Sequence, residues 1–170
     1  MKTYSAPWST LLIVISALIT VICISVTLLP LVLGGTPSWW FASGFLLIVL
    51  CAPFTIRAYT ITSDAILIHR LFWKTRLPLA GLKSAQFQFE AMNRSIRLCG
   101  NGGVFSFTGW FRNKLLGNYR AFVTDHHNTI VLRFATRTIV ISPSSPEDFV
   151  QHLSNLVKPE SDAPVNSGSV

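Results

Sequence analysis

Three short segments hold the residue types that could carry out chemistry. The stretch Gly100-Asn101-Gly102-Gly103 is glycine-rich, but it lacks the Lys-Ser/Thr pair of a phosphate-binding loop and no helical pattern follows it. We interpret it as a turn with positive φ. The stretch Asp125-His126-His127-Asn128 could suggest a metal site, yet adjacent residues on a strand point to opposite faces, and this composition is typical of a polar turn. Cys99 has no histidine in its local segment to form a nucleophile pair, although partners distant in the sequence remain open. We therefore assign no catalytic, cofactor-binding or metal-ligating residue.

Two segments interleave aromatic and cationic side chains in a way that indicates a contact surface. Residues 108–120 (TGWFRNKLLGNYR) have the composition of a loop that touches anionic headgroups or an acidic partner. The composition fits slightly better with the alternative, a loop whose aromatic residues cover one end of a barrel while its cations face water. Residues 69–76 form a second basic group across a turn between two strands. The candidate contact surface consists of Trp110, Phe111, Arg112, Lys114, Arg120, Arg70, Lys74 and Arg76.

The elements that would position these residues begin with an uncharged N-terminal region. No Asp, Glu, Lys or Arg occurs between Lys2 and Arg57, a run of 54 residues. One helix needs about 20 apolar residues to cross a bilayer. The glycines and proline of Gly34-Gly35-Thr36-Pro37-Ser38 favour a turn near the middle of the run. We therefore predict a hairpin of two transmembrane helices, at about 9–33 and 39–55, within an anchor comprising residues 1–56.

The positions of the cations predict the orientation of this hairpin. Lys2 precedes the first arm, and Arg57, Arg70 and Lys74 follow the second, whereas the connecting loop has no cation. Because flanking Lys and Arg residues are retained in the cytoplasm, we expect an integral protein of the plasma (inner) membrane with both termini cytoplasmic. A cleaved signal peptide followed by a secreted domain is the weaker alternative, since the apolar run is much longer than a signal core.

The remaining chain reads as one small β domain. Residues 57–170 hold 13 of the 14 Lys and Arg residues and all seven acids. Alternating apolar and polar residues predict strands at 57–62, 65–71, 73–79, 82–90, 104–108, 119–124, 129–135 and 138–142. An amphipathic helix starts near Pro146, and its apolar face, which includes Phe149 and Leu153, should pack against an open end of a barrel. The tail at 158–170 is polar and is predicted to be disordered.

The domain resembles the pleckstrin-homology (PH) superfold, and its local sequence is similar to the bacterial PH-domain family that often follows two transmembrane helices. The residues that carry the resemblance span 57–157: Tyr59-Thr60-Ile61-Thr62, Ile66-Leu67-Ile68, the segment 96–103 (IRLCGNGG), Gly109, Leu116-Gly117-Asn118-Tyr119, Val123-Thr124-Asp125, Ile141-Ser142-Pro143 and Pro146-Glu147-Asp148-Phe149. The resemblance implies a binding or scaffold module and supplies no catalytic residue. The expected fold is a membrane α-helical hairpin followed by a mainly-β PH-like barrel with a C-terminal capping helix.

Two functions follow from this reading. The first is a membrane-tethered, non-catalytic binding or scaffold module that presents its barrel at the cytoplasmic face to a protein or to anionic lipid headgroups. The second is an enzyme or enzyme subunit that acts on a membrane-phase substrate. Because the soluble part has few acidic residues, we favour the first, with no cofactor and no nucleic-acid partner.

Overall fold

The structure is a computed structural model that describes residues 1–34 and 42–157. Its strands are β1 (Lys2–Ser5), β2 (Ile56–Ile61), β3 (Ala65–Arg70), β4 (Lys74–Pro78), β5 (Leu82–Phe89), β6 (Ile96–Gly102), β7 (Phe107–Asn113), β8 (Gly117–Val123), β9 (Asn128–Phe134) and β10 (Thr138–Ile141). Its helices are α1 (Thr10–Val32), α2 (Ala42–Cys51), which continues into a 3₁₀ turn at Ala52–Phe54, and α3 (Pro146–Val157). The predicted tail at 158–170 and the start of the second predicted helix, near residue 39, lie outside the described residues.

The strands form two sheets, which is consistent with the expected PH-like fold. One sheet has the order β1-β2-β3-β4, and the other has the order β5-β9-β10-β8-β7-β6. Within the described ranges no strand pairing joins the two sheets. All neighbours are antiparallel except β10 and β8, which run parallel because β10 inserts between β8 and β9. The domain is therefore mainly β, as predicted, but it is built as two layers.

One core lies between the two layers. Tyr59, Ile66 and Ile68 enter it from the first sheet, and Phe122 and Leu132 enter it from the second; all are fully buried. The helix α3 adds Phe149 and Leu153, which are also fully buried. The predicted apolar face of the C-terminal helix therefore packs against the β domain. A smaller cluster that includes Phe111 and Tyr119 fills the other side of the second sheet.

The N-terminal residues before α1 belong to the β domain, which the sequence did not predict. β1 pairs antiparallel with β2 in the register Tyr4↔Tyr59. Tyr4 is 4 % exposed, and its ring meets Phe149 of α3 edge-on at 4.9 Å. Lys2 forms an ion pair with Asp148 of α3 at 2.6 Å. The predicted boundary between an anchor at 1–56 and a domain at 57–157 therefore assigns β1, a strand of the β domain, to the anchor.

The start of α1 is built into the domain as well. Ser9 caps the helix by accepting a hydrogen bond from the Leu12 N–H at 3.3 Å, and its own N–H donates to the Thr124 carbonyl at 3.1 Å. Leu12 is fully buried. One helical turn further on, the Ser16 hydroxyl accepts a hydrogen bond from the Phe105 N–H at 2.9 Å. Because these contacts involve the first two turns, they fix the direction in which α1 leaves the domain.

The two apolar helices also contact each other. A side chain at Gly44 of α2 would lie 2.8 Å from the Cys23 carbonyl of α1, so the glycine permits close approach of the two backbones. By length and composition, one helix, at Thr10–Leu29, could cross a membrane, whereas the apolar segment Ser43–Phe54 is shorter. The described part of the chain thus has one candidate span; the second predicted helix, at about 39–55, begins outside the described residues and is not confirmed as a span.

Three assignments in the middle of the domain were wrong. Residues 96–102 form β6, although the glycine-rich residues 100–103 were interpreted as a turn. The predicted loop at 108–120 is instead the strand β7, a tight turn and the first part of β8, closed by a hydrogen bond from the Leu116 N–H to Asn113 Oδ1 at 2.7 Å. The predicted strand at 104–108 is mainly the connection between β6 and β7.

The polar stretch after Asp125 is a turn, in which Asp125 accepts a hydrogen bond from the His127 N–H at 3.0 Å.

Candidate functional site

The predicted contact surface is divided among several places in the structure. Arg70 and Arg120 come together beside the end of α2. Phe111 is only 5 % exposed and stacks on Tyr119, so it belongs to the core and cannot act as a contact residue. Arg76 pairs with Asp64 on the surface. The other four residues are exposed. Trp110 and Arg112 lie on β7, Lys114 lies in the β7–β8 turn, and Lys74 lies on β4.

A cleft of about 590 Å³ lies where Arg70 and Arg120 meet. One wall is apolar and comes from the last turns of α2 and the following 3₁₀ turn, which contribute Leu47, Leu50 and Phe54. The facing wall comes from the sheets and includes Trp73, Arg97 and Thr108. The cleft therefore combines a hydrocarbon surface with three guanidinium groups, those of Arg70, Arg97 and Arg120.

Arg70 is the most rigidly held of the three arginines. It is the last residue of β3 and is only 7 % exposed. Its Nε donates a hydrogen bond to Thr75 Oγ1, and its Nη1 donates one to the Phe54 carbonyl, each at 3.2 Å. The second bond satisfies a carbonyl at the C-terminal end of the 3₁₀ turn, where a cation is favoured. The guanidinium also lies near three aromatic rings, those of Phe54, Trp73 and Phe122, at 5.3–5.7 Å.

The positive charge of the cleft is not neutralised by protein carboxylates. Within residues 1–34 and 42–157, the three ion pairs join Lys2 to Asp148, Arg76 to Asp64 and His127 to Glu90, all away from the cleft. The guanidinium of Arg120 lies 4.9 Å from the same Phe122 ring that Arg70 contacts. Burial, together with repulsion from Arg120, lowers the pKa of Arg70. An arginine nevertheless stays protonated in proteins, so the cleft holds uncompensated positive charge.

Glycines allow the two strands β6 and β7 beside this cleft to pair closely. Gly100 of β6 pairs with Gly109 of β7, and both line the cleft. Their φ angles are +112° and +144°, and a Cβ on either would lie within 2.3 Å of a backbone carbonyl oxygen on the opposite strand. Only glycine fits at both positions. Gly102 leaves room for Arg97, because a Cβ there would lie 2.5 Å from Arg97 Nη1.

Sequence reasoning missed Arg97 and the glycine pair as parts of the site. Arg97 has only one other cation nearby, Arg94, and no aromatic residue in the segment 93–103, so the composition did not indicate a contact surface there. The glycines at 100–103 resembled a turn because positive φ is most common in turns. Gly109 could have indicated the close pairing of β6 and β7, because an isolated glycine in a strand often lies where another backbone approaches closely.

Two β layers over a shared core, a packed C-terminal helix and a basic cleft define a PH-like domain, a class of non-catalytic binding module. Residues 57–157 match the family model described as Bacterial PH domain. The match covers more than half of the chain, which therefore belongs to the bacterial PH domain family. The strand β1 lies outside the matched residues, although it completes the first sheet. No curated protein and no solved structure matches the chain.

Proposed function

We propose that this protein is a membrane-tethered, non-catalytic binding module that presents its PH-like domain at the cytoplasmic face of the plasma membrane. In this proposal residues 1–56 contain a two-helix anchor at about 9–33 and 39–55, and residues 57–157 together with β1 form the domain. The observation that carries the proposal is the pairing of β1, which precedes the anchor, with β2, which follows it.

This pairing constrains how the intervening segment can cross a bilayer. Two strands that share a sheet lie on the same side of the membrane, so the chain between Ser5 and Ile56 must cross an even number of times. A single crossing by α1 alone would separate β1 from β2. The contact between Gly44 and Cys23 further supports two helices that run side by side. A cleaved signal peptide fits poorly, because cleavage would remove Tyr4 from the core.

The surface of α1 supports a lipid environment. Apart from the turns that contact the domain, most of its large apolar side chains are about half exposed, including Leu18 at 58 %, Val21 at 60 % and Leu29 at 57 %. A continuous apolar surface of this length is unfavourable in water and favourable in the hydrocarbon core of a bilayer. The cations at both ends of the predicted hairpin favour a cytoplasmic domain.

The acidic residues favour binding over catalysis. Asp64 pairs with Arg76, Asp148 pairs with Lys2, and Glu90 pairs with His127. Asp125 accepts hydrogen bonds within its own turn. Each of these carboxylates thus has a structural role outside the cleft, and we rank the enzyme alternative second.

Cysteine labelling tests the proposed topology. In a variant without Cys23, Cys51 and Cys99, we expect Ser38→Cys to react with a membrane-impermeant maleimide added to intact cells. The matched variant Ser154→Cys, on the exposed side of α3, should react only after lysis. Labelling of Ser154→Cys in intact cells, or protection of Ser38→Cys, would contradict the proposal.

A further inference from the structure

We propose that the cleft between Arg70, Arg97 and Arg120 binds the phosphate group of an anionic membrane lipid, an inference that rests on the proposed membrane placement of the domain. None of these arginines has a carboxylate partner among the described residues. Guanidinium groups match phosphate oxygens in geometry and charge, and arginine is therefore favoured for phosphate recognition.

The state of Arg70 indicates that the cleft is organised for an anion. Burying a cation without a counter-ion is unfavourable, and proteins usually pair such groups. Arg70 is 93 % buried and has only neutral partners, Thr75 Oγ1 and the Phe54 carbonyl. Arg97 and Arg120 line the same cleft, and Arg120 adds repulsion. A bound phosphate would supply the missing negative charge.

The apolar wall indicates that the phosphate belongs to a lipid. Leu47 and Leu50 are exposed on α2 at 46 % and 59 %, and they line the cleft directly below Phe54. In the proposed topology this stretch of α2 enters the bilayer, so the acyl chains of a lipid could continue along it while the phosphate meets the arginines. A soluble phosphate ester has no acyl chain to contact this apolar wall, whereas a lipid does.

The neighbouring turn between β3 and β4 supports the same orientation. Phe72 is 76 % exposed at its tip, and Trp73 meets Phe54 edge-on at 5.5 Å. Aromatic side chains next to an apolar helix are typical of the headgroup layer. The opening of the cleft therefore lies at the depth where lipid phosphates occur.

The test uses the full-length protein in neutral detergent micelles, supplied with equal amounts of phosphatidylglycerol and phosphatidylcholine and analysed by native mass spectrometry. We expect the wild type to retain one phosphatidylglycerol in preference to phosphatidylcholine. Arg97→Gln and Arg120→Gln should each weaken this retention by about tenfold or more, as expected for loss of one charge-assisted hydrogen bond. Both arginines are exposed, so these variants should fold.

Arg133→Gln is the matched control, because Arg133 is an exposed cation on β9 outside the cleft. Equal retention of phosphatidylglycerol by the wild type, Arg97→Gln and Arg120→Gln would overturn the proposal.

Glycerol phosphate serves as a soluble competitor. If it binds as tightly as phosphatidylglycerol, the site recognises free phosphate esters and the lipid assignment fails. Binding in micelles does not depend on membrane orientation, so the outcome is separate from that of the cysteine labelling.

Discussion

Replacing Tyr4 with Ala should strongly destabilise the PH-like domain, even though Tyr4 precedes the apolar helices and lies outside the family match. Tyr4 is 4 % exposed within the core, next to Phe149. Truncation of a buried large aromatic side chain to Ala costs about 3 to 5 kcal/mol. Loss of the edge-on ring contact with Phe149 contributes to this cost. Because domains of this size are stable by only about 5 to 15 kcal/mol, the loss is a large share of the total.

Thermal unfolding of the full-length protein in detergent, followed by near-ultraviolet circular dichroism, measures this effect. A loss of 3 to 5 kcal/mol should lower the Tm of the domain by more than about 10 °C. Ser5→Ala is the control, because Ser5 lies on the same strand with its side chain exposed. If Tyr4→Ala and Ser5→Ala melt at the same temperature, β1 is not part of the folded domain, and the topological argument from its pairing fails with it.

Two further substitutions test the core. Leu153→Asp would bury a carboxylate at a fully buried position of α3 and should unfold the domain. Ser154→Asp, on the exposed side of α3, is the control and should be tolerated. Equal circular dichroism spectra for the two variants would contradict the packing of α3. Tyr59→Phe removes a hydrogen bond from the Tyr59 hydroxyl to the Phe122 carbonyl at 2.7 Å and should cost about 1 to 3 kcal/mol at neutral pH. Because burial raises the pKa of Tyr59 to about 12 from its usual 10.0, the unfolded state ionises first, and wild-type stability falls as pH rises from 10 to 12. The difference in denaturant midpoint between wild type and Tyr59→Phe should therefore be smaller at pH 11 than at pH 9, and an unchanged difference would refute this.

The elements predicted correctly from the sequence are those whose spacing of apolar residues is visible within one short segment. Alternating apolar residues located β2, β3, β5 and β9, and the spacing of Phe149 and Leu153 gave the buried face of α3. β1 was missed because it is only four residues long and stands directly before an apolar helix. The glycines of β6 indicated a turn, although the positive φ of Gly100 serves the close pairing of β6 with β7.

The candidate site was less predictable because its residues come from distant segments. Arg70 and Arg120 were assigned to separate basic groups, and only the packing of the two sheets brings them to the same Phe122 ring. The apolar wall from α2 was read solely as part of an anchor. Periodicity reports which face of an element is buried, but it does not report which elements become neighbours.

The pairing of β1 with β2 also has a consequence for biogenesis. During synthesis, β1 emerges first and must wait until both α1 and α2 have been made before its partner strand exists. In the proposed topology, folding of the domain depends on the side of the membrane on which the N-terminus is placed. A chain inserted with its N-terminus on the other side would leave the edge of β2 unpaired. Because an unpaired strand edge and an incomplete core favour proteolysis, we expect the pairing of β1 to distinguish correctly inserted molecules in that topology.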